Sequence, residues 1–83
     1  MTSIVFELFA SLEGLAGTRT CKIDAGEDIR SVGDALGLLA REHPKLASAL
    51  ERCACASGDA IVRRADPLPA DGRIAVLPPV AGG

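Results

Sequence analysis

Apolar and polar positions alternate with a period of two near both ends of the chain, and between them one stretch changes to the helical period. From Ser3 to Phe9, Ile4, Phe6 and Leu8 fall on one side while Val5, Glu7 and Phe9 fall on the other. That alternation predicts a strand with one wholly apolar face and one mixed face. Ala10 to Gly17 carries Gly14 and Gly17 and reads as a turn. Thr18 to Asp24 reads as a second strand, with Arg19, Cys21 and Ile23 on one side and Thr20 and Lys22 on the other. Ala25-Gly26-Glu27-Asp28 then interrupts the pattern, and Ser31-Val32-Gly33-Asp34 has the Ser-x-x-acid spacing of a helix start. There the serine hydroxyl accepts a free N–H of the first turn and the acid lies at the positive end of the helix dipole. Val32, Leu36 and Leu39 with Ala35 and Ala40 form the stripe that faces the sheet. Gly33 and Gly37 cost this helix about 1 kcal/mol each, so it depends on packing to persist.

Pro44 ends the helix, and a short helical piece is expected from about Lys45 to Glu51. Two brief strands follow, about Arg52 to Ala56 and Ala60 to Arg64, joined by the tight-turn sequence Ser57-Gly58-Asp59 into a hairpin. Asp66 to Pro69 is irregular, Asp71-Gly72 is a turn, and Ile74 to Leu77 is a final strand. Strand, strand, helix, strand, strand, strand is an α+β order. It implies a four- to five-stranded sheet with one main helix across one face.

Composition sharpens this picture. The 83 residues suit one domain, with 48% apolar and 24% charged positions, well away from the composition of disordered chains. Only two residues are aromatic, both Phe, so Leu, Val, Ile and Ala build the core and no stacking platform for single-stranded nucleic acid exists. A formal charge of −2 has the wrong sign for binding a phosphate backbone, which argues against nucleic acid as a partner. No apolar run approaches the roughly 20 residues of a membrane span, and no basic residue precedes the first apolar run, which Glu7 interrupts. The expectation is a cytoplasmic protein without membrane attachment.

The most informative segment is Pro78-Pro79-Val80-Ala81-Gly82-Gly83. Two prolines favour extended geometry and bias Leu77 to the extended region, so strand and tail run on continuously. Residues 1–77 then form the domain and 78–83 a protruding tail of at most about 20 Å. Gly82 and Gly83 lack Cβ atoms and pass through a channel too narrow for other residues. A terminal carboxylate is ionised at neutral pH and a poor electrophile. Adenylation converts it to a mixed anhydride that a sulfur nucleophile attacks. The chain has no Gly-x-x-x-x-Gly-Lys-Ser/Thr loop to hold ATP, which assigns the activation to another protein.

On these residues the chain resembles the ubiquitin-like β-grasp sulfur carriers, and among them the small subunits of molybdopterin synthases. Leu8-Phe9-Ala10, the Ser31-Val32 helix start with Leu36, Asp66-Pro67-Leu68 followed by Asp71-Gly72, and above all Leu77-Pro78-Pro79-Val80-Ala81-Gly82-Gly83 carry the resemblance. It implies a β-grasp fold with a mixed sheet, and a carrier that is not an enzyme on its own. A ubiquitin-activating-enzyme-like adenylyltransferase would use ATP to form a transient acyl-adenylate at Gly83, and a sulfur donor system would convert it to a thiocarboxylate. No cofactor would be bound stably. The large subunit would admit Pro78, Pro79, Val80, Ala81 and Gly82 into its active site, where the sulfur passes to cyclic pyranopterin monophosphate. Related carriers serve thiamin, cysteine or thio-metabolite synthesis, and some related proteins are conjugated to lysines.

Strand parity puts Phe9, Ile61 and Leu77 on the side of the sheet away from the helix, where they form either an apolar partner patch or second-layer packing. Cys21, Cys53, Cys55 and His43 match the count of a zinc site but not its paired spacing, and three cysteines do not make a disulfide framework. The thiols read as small packing residues, His43 as a helix-end residue and Arg63-Arg64 as a solvated hairpin edge.

Overall fold

A computed structural model describes residues 2–79 of the chain. Five strands, β1 (Thr2–Leu8), β2 (Thr20–Ala25), β3 (Ala54–Ser57), β4 (Ala60–Val62) and β5 (Arg73–Leu77), form one sheet in the order β2-β1-β5-β3-β4. β1 pairs with β2 antiparallel and with β5 parallel, and β3 is antiparallel to both β5 and β4. The last strand in sequence therefore lies in the middle of a mixed sheet, the α+β arrangement expected.

The period-two pattern sets the faces. Ile4, Phe6, Leu8, Cys21, Ile23, Ala25, Cys55, Ile74 and Val76 point into one core, closed from above by Val32, Ala35, Leu36 and Leu39 of helix α2 (Val32–Glu42). Its start is built as the sequence predicts. The Ser31 hydroxyl accepts from the Asp34 N–H at 3.1 Å, and the Asp34 carboxylate accepts from the Ser31 N–H at 3.2 Å. Backbone bonds from Arg30 and Ser31 hold the Asp34 carboxyl below the usual carboxylate range. The remaining free amides of the first turn are met by the irregular segment after β4: Val32 N–H donates to Asp66 O at 2.9 Å and Gly33 N–H to Arg64 O at 2.8 Å. Gly33 allows this close approach, since a Cβ would stand 3.1 Å from the Arg64 carbonyl, a tight contact that the neighbour would have to yield to.

Three regions differ from the sequence pattern. Residues expected to form only a turn contain helix α1 (Ser11–Ala16), anchored by Leu12, which is fully buried, and closed by Gly17 at φ 78°. Six residues with a central glycine carry little helical propensity, so the burial of Leu12 decides. The helical piece after Pro44 is divided, a 3-10 turn at Pro44–Leu46 followed by α3 (Ala47–Leu50). The hairpin strands are shorter than expected, with Gly58 at φ 60° in the connecting turn. No helix among the described residues is long and apolar enough to cross a membrane.

Candidate functional site

β5 delivers the chain to its C-terminal segment, and two features aim it. Before the strand, Gly72 at φ 69° packs its backbone against β1, where a Cβ would lie 2.7 Å from the Ser3 carbonyl; its own carbonyl accepts from Val5 N–H at 2.8 Å. The Asp71 carboxylate caps the turn by accepting from Arg73 N–H at 3.1 Å. Along the strand, Ile74 and Val76 are fully buried between β1 and β3. The segment thus leaves from the most constrained strand of the sheet. Pro78 is half-buried and Pro79 exposed. Val80, Ala81, Gly82 and Gly83, with the reactive position assigned from the sequence, lie outside the described residues.

The register gathers the apolar residues of the helix-free face around the exit. Leu8 pairs with Val76, and the Phe9 N–H donates to Val76 O at 3.3 Å, which places Phe9 beside Leu77. Leu77 pairs with Ala54, while Ala56 lies between Ala75 on one side and Ile61 on the other. Phe9, Leu77 and Ile61 therefore share one face with Ala54, Ala56 and Ala75 between them. Ile61 is 69% exposed and Phe9 41%; Leu15 of α1 is likewise exposed. Backbone strain marks the rim: Ala10, next to Phe9, has φ 52° and ψ −126°, a conformation that L residues rarely adopt.

The cysteines are buried on the core side, whereas Lys22 and Arg73, both paired with Val5, share the helix-free face, where Arg73 lies 3.7 Å from Glu7. The Cys21 thiol lies 3.5 Å from His43 Nε2 at the end of α2, and the Cys53 thiol donates to the Ala49 carbonyl at 3.0 Å. Burial pushes all three thiols above their ordinary value of 9.0, and the Arg64 charge draws Cys53 and Cys55 only partly back. They are protonated packing residues at neutral pH. No group of three metal-ligating side chains occurs among the described residues. Arg63 and Arg64 are exposed, as a solvated edge requires, and the Arg64 guanidinium also donates to the carbonyls of Leu50 and Cys53, which ties the end of α3 to the hairpin. Sequence spacing carries no signal for that bond, which joins residues brought near only by the fold.

Residues 6–83 match the family described as the ThiS family. No curated protein sequence matches the chain. Among solved structures, SAMP1 from Haloferax volcanii is 30% identical, covering 99% of this chain and 100% of that one with a TM-score of 0.84. A putative molybdopterin converting factor, subunit 1, from Pyrococcus furiosus is similar in fold at 22% identity, 96% and 100% coverage and a TM-score of 0.80. So is a complex of subunits 1 and 2 of the molybdopterin-converting factor from Helicobacter pylori, at 24% identity, 99% and 100% coverage and a TM-score of 0.65.

Proposed function

The chain belongs to the ThiS family of ubiquitin-like β-grasp sulfur carriers, and from that premise we propose that it carries sulfur as a thiocarboxylate on Gly83. The supporting observation is the exit of β5: a central strand runs into Leu77-Pro78-Pro79 beside an apolar face that the described residues leave open. A partner seated on Phe9, Ile61 and Leu77 meets the chain where β5 ends, which favours reaction through positioning. An adenylyltransferase related to ubiquitin-activating enzymes transfers AMP from ATP to the Gly83 carboxylate with loss of pyrophosphate. Sulfur at the oxidation level of sulfide, from a donor system, then attacks the acyl carbon, forming the C–S bond as the C–O bond to AMP breaks. The carrier holds no ATP or other cofactor of its own and acts as co-substrate.

The preferred acceptor is cyclic pyranopterin monophosphate, with this chain as the small subunit of a molybdopterin synthase in the cytoplasm. The structural likeness to subunit 1 of molybdopterin converting factors, one of them solved in complex with subunit 2, supports a large-subunit partner. A second reading, a modifier joined through Gly83 to lysines, is supported by the greater identity to SAMP1, a small archaeal modifier protein.

The deciding experiment is intact-mass measurement after incubation with a cognate adenylyltransferase, ATP and a sulfur donor. Replacement of one oxygen by sulfur, absent when Gly83 is deleted, is the expected result, and transfer to pyranopterin with the large subunit identifies the pathway. Lysine adducts in place of the thiocarboxylate select the modifier reading. An unreactive Gly83 with competent partners overturns both.

A further inference from the structure

The free edge of β2 is built for pairing. The Leu8 N–H donates to the Arg19 carbonyl at 2.7 Å, whereas the Val5 N–H turns the other way to Gly72 O. With Ile4 opposite Ile23 and Phe6 opposite Cys21, the alternation of an antiparallel ladder directs the backbone of Cys21 and Ile23 toward β1. The N–H and C=O of Lys22 and Asp24 therefore point outward, and neither residue's backbone meets a partner among the described residues. Thr20–Ala25 contains no proline and no break; the Thr20 carbonyl accepts from the Thr18 hydroxyl at 2.9 Å, and Lys22 is the strand's one edge lysine. The opposite edge, β4, is only three residues long and is followed at once by Arg63 and Arg64. The helical layer leaves the β2 side open too, as a notch beside the strand lined by Cys21, Ile23, Glu42 and His43.

We propose that β2 pairs antiparallel with β2 of a second copy, centred on Ile23, to join two sheets into one of ten strands. Charge selects both the occupant and the register. A two-fold centred on Lys22 sets Lys22 against its own copy, and one centred on Asp24 sets two carboxylates together. One centred on Cys21 leaves Lys22 opposite Thr20 and Asp24 opposite Thr18. Only the register centred on Ile23 places Lys22 opposite Asp24, and symmetry does so twice, on the same exposed face. The same pairing exchanges the outward N–H and C=O groups of Lys22 and Asp24. It also covers Ile23, one of the few core residues with residual exposure, with its own symmetry mate. β1 separates this edge from β5, so Leu77 and the apolar face around it stay open in both copies.

Sedimentation of the full chain across a concentration series, with amide hydrogen exchange, tests the proposal. The expected result is a reversible dimer whose formation slows exchange at Lys22 and Asp24 with concentration and leaves Cys21 and Ile23 unchanged. Lys22→Asp faces carboxylates with carboxylates and weakens association at least tenfold. Lys22→Asp combined with Asp24→Lys restores the opposite-charge pairs and returns association to within about threefold. Thermal melts at low concentration establish that both variants fold. A monomer at every concentration, a dimer indifferent to Lys22→Asp, or failure of the charge swap to restore a folded variant overturns the proposal.

Discussion

The two faces of the sheet follow one alternating pattern, yet the chain completes only one of them. Under α2, Ile4, Phe6, Leu8, Ile74 and Val76 are sealed from water. On the other face Val5, Ala75 and Leu77 are partly open, and Ile61 and Phe9 are largely so. The covered face holds the fold together by removing apolar area from water. The open face leaves comparable side chains uncovered among the described residues, beside the strand that leads to the C-terminal segment.

Substitutions on the two faces should separate folding from docking, and the largest effect belongs to the core. Phe6→Ala removes a fully buried ring and is expected to cost about 4 kcal/mol in a denaturant titration. Ile61→Asp, on the open face, should leave stability within about 0.5 kcal/mol while weakening partner binding at least tenfold; intact binding by a folded Ile61→Asp chain would remove the patch from the mechanism. Gly72→Ala comes next. Its Cβ meets the Ser3 carbonyl at a positive φ, and an expected loss of about 3 kcal/mol should appear as a lowered melting temperature.

Ser31→Ala tests how the covering helix begins, at about 1 kcal/mol by the same titration. The linked Asp34 carboxyl is held below its ordinary value in the fold. Its contribution is present above the ordinary carboxylate range and is lost as pH falls through the lowered value, so Asp34→Asn should flatten the acid limb of a stability profile. In the opposite direction, Gly37→Ala meets open space on α2 and should raise stability by up to about 1 kcal/mol.

The smallest effect is alkaline. The thiol pKa values are raised by burial, so their stabilising share is intact below the ordinary value and fades as pH rises through the folded one. Alkylation of the folded chain at neutral pH should accordingly be slow beside that of the unfolded chain. Rapid labelling at low denaturant would contradict the burial of all three thiols.

Much of this was legible from residue order. Alternation in β1 and β5, the Ser31–Asp34 helix start, the hairpin around Gly58 and the turn at Gly72 are each local, and each depends on side chains a few positions apart. The shared face of Phe9, Ile61 and Leu77 was also legible as parity, although their adjacency was not. Helix α1 was missed because its stability rests on Leu12 entering a core assembled from distant strands. The tie from Arg64 to Leu50 and Cys53 was missed for the same reason.

Sequence alone determined which residues alternate and where the main helix starts, because periodicity and capping are properties of neighbours in the chain. Tertiary structure alone decided that the last strand lies in the middle of the sheet, that Gly72 must touch β1, and that β2 keeps an open edge. Those outcomes depend on strand order and register, set by how separate segments share one core rather than by any segment's own preference.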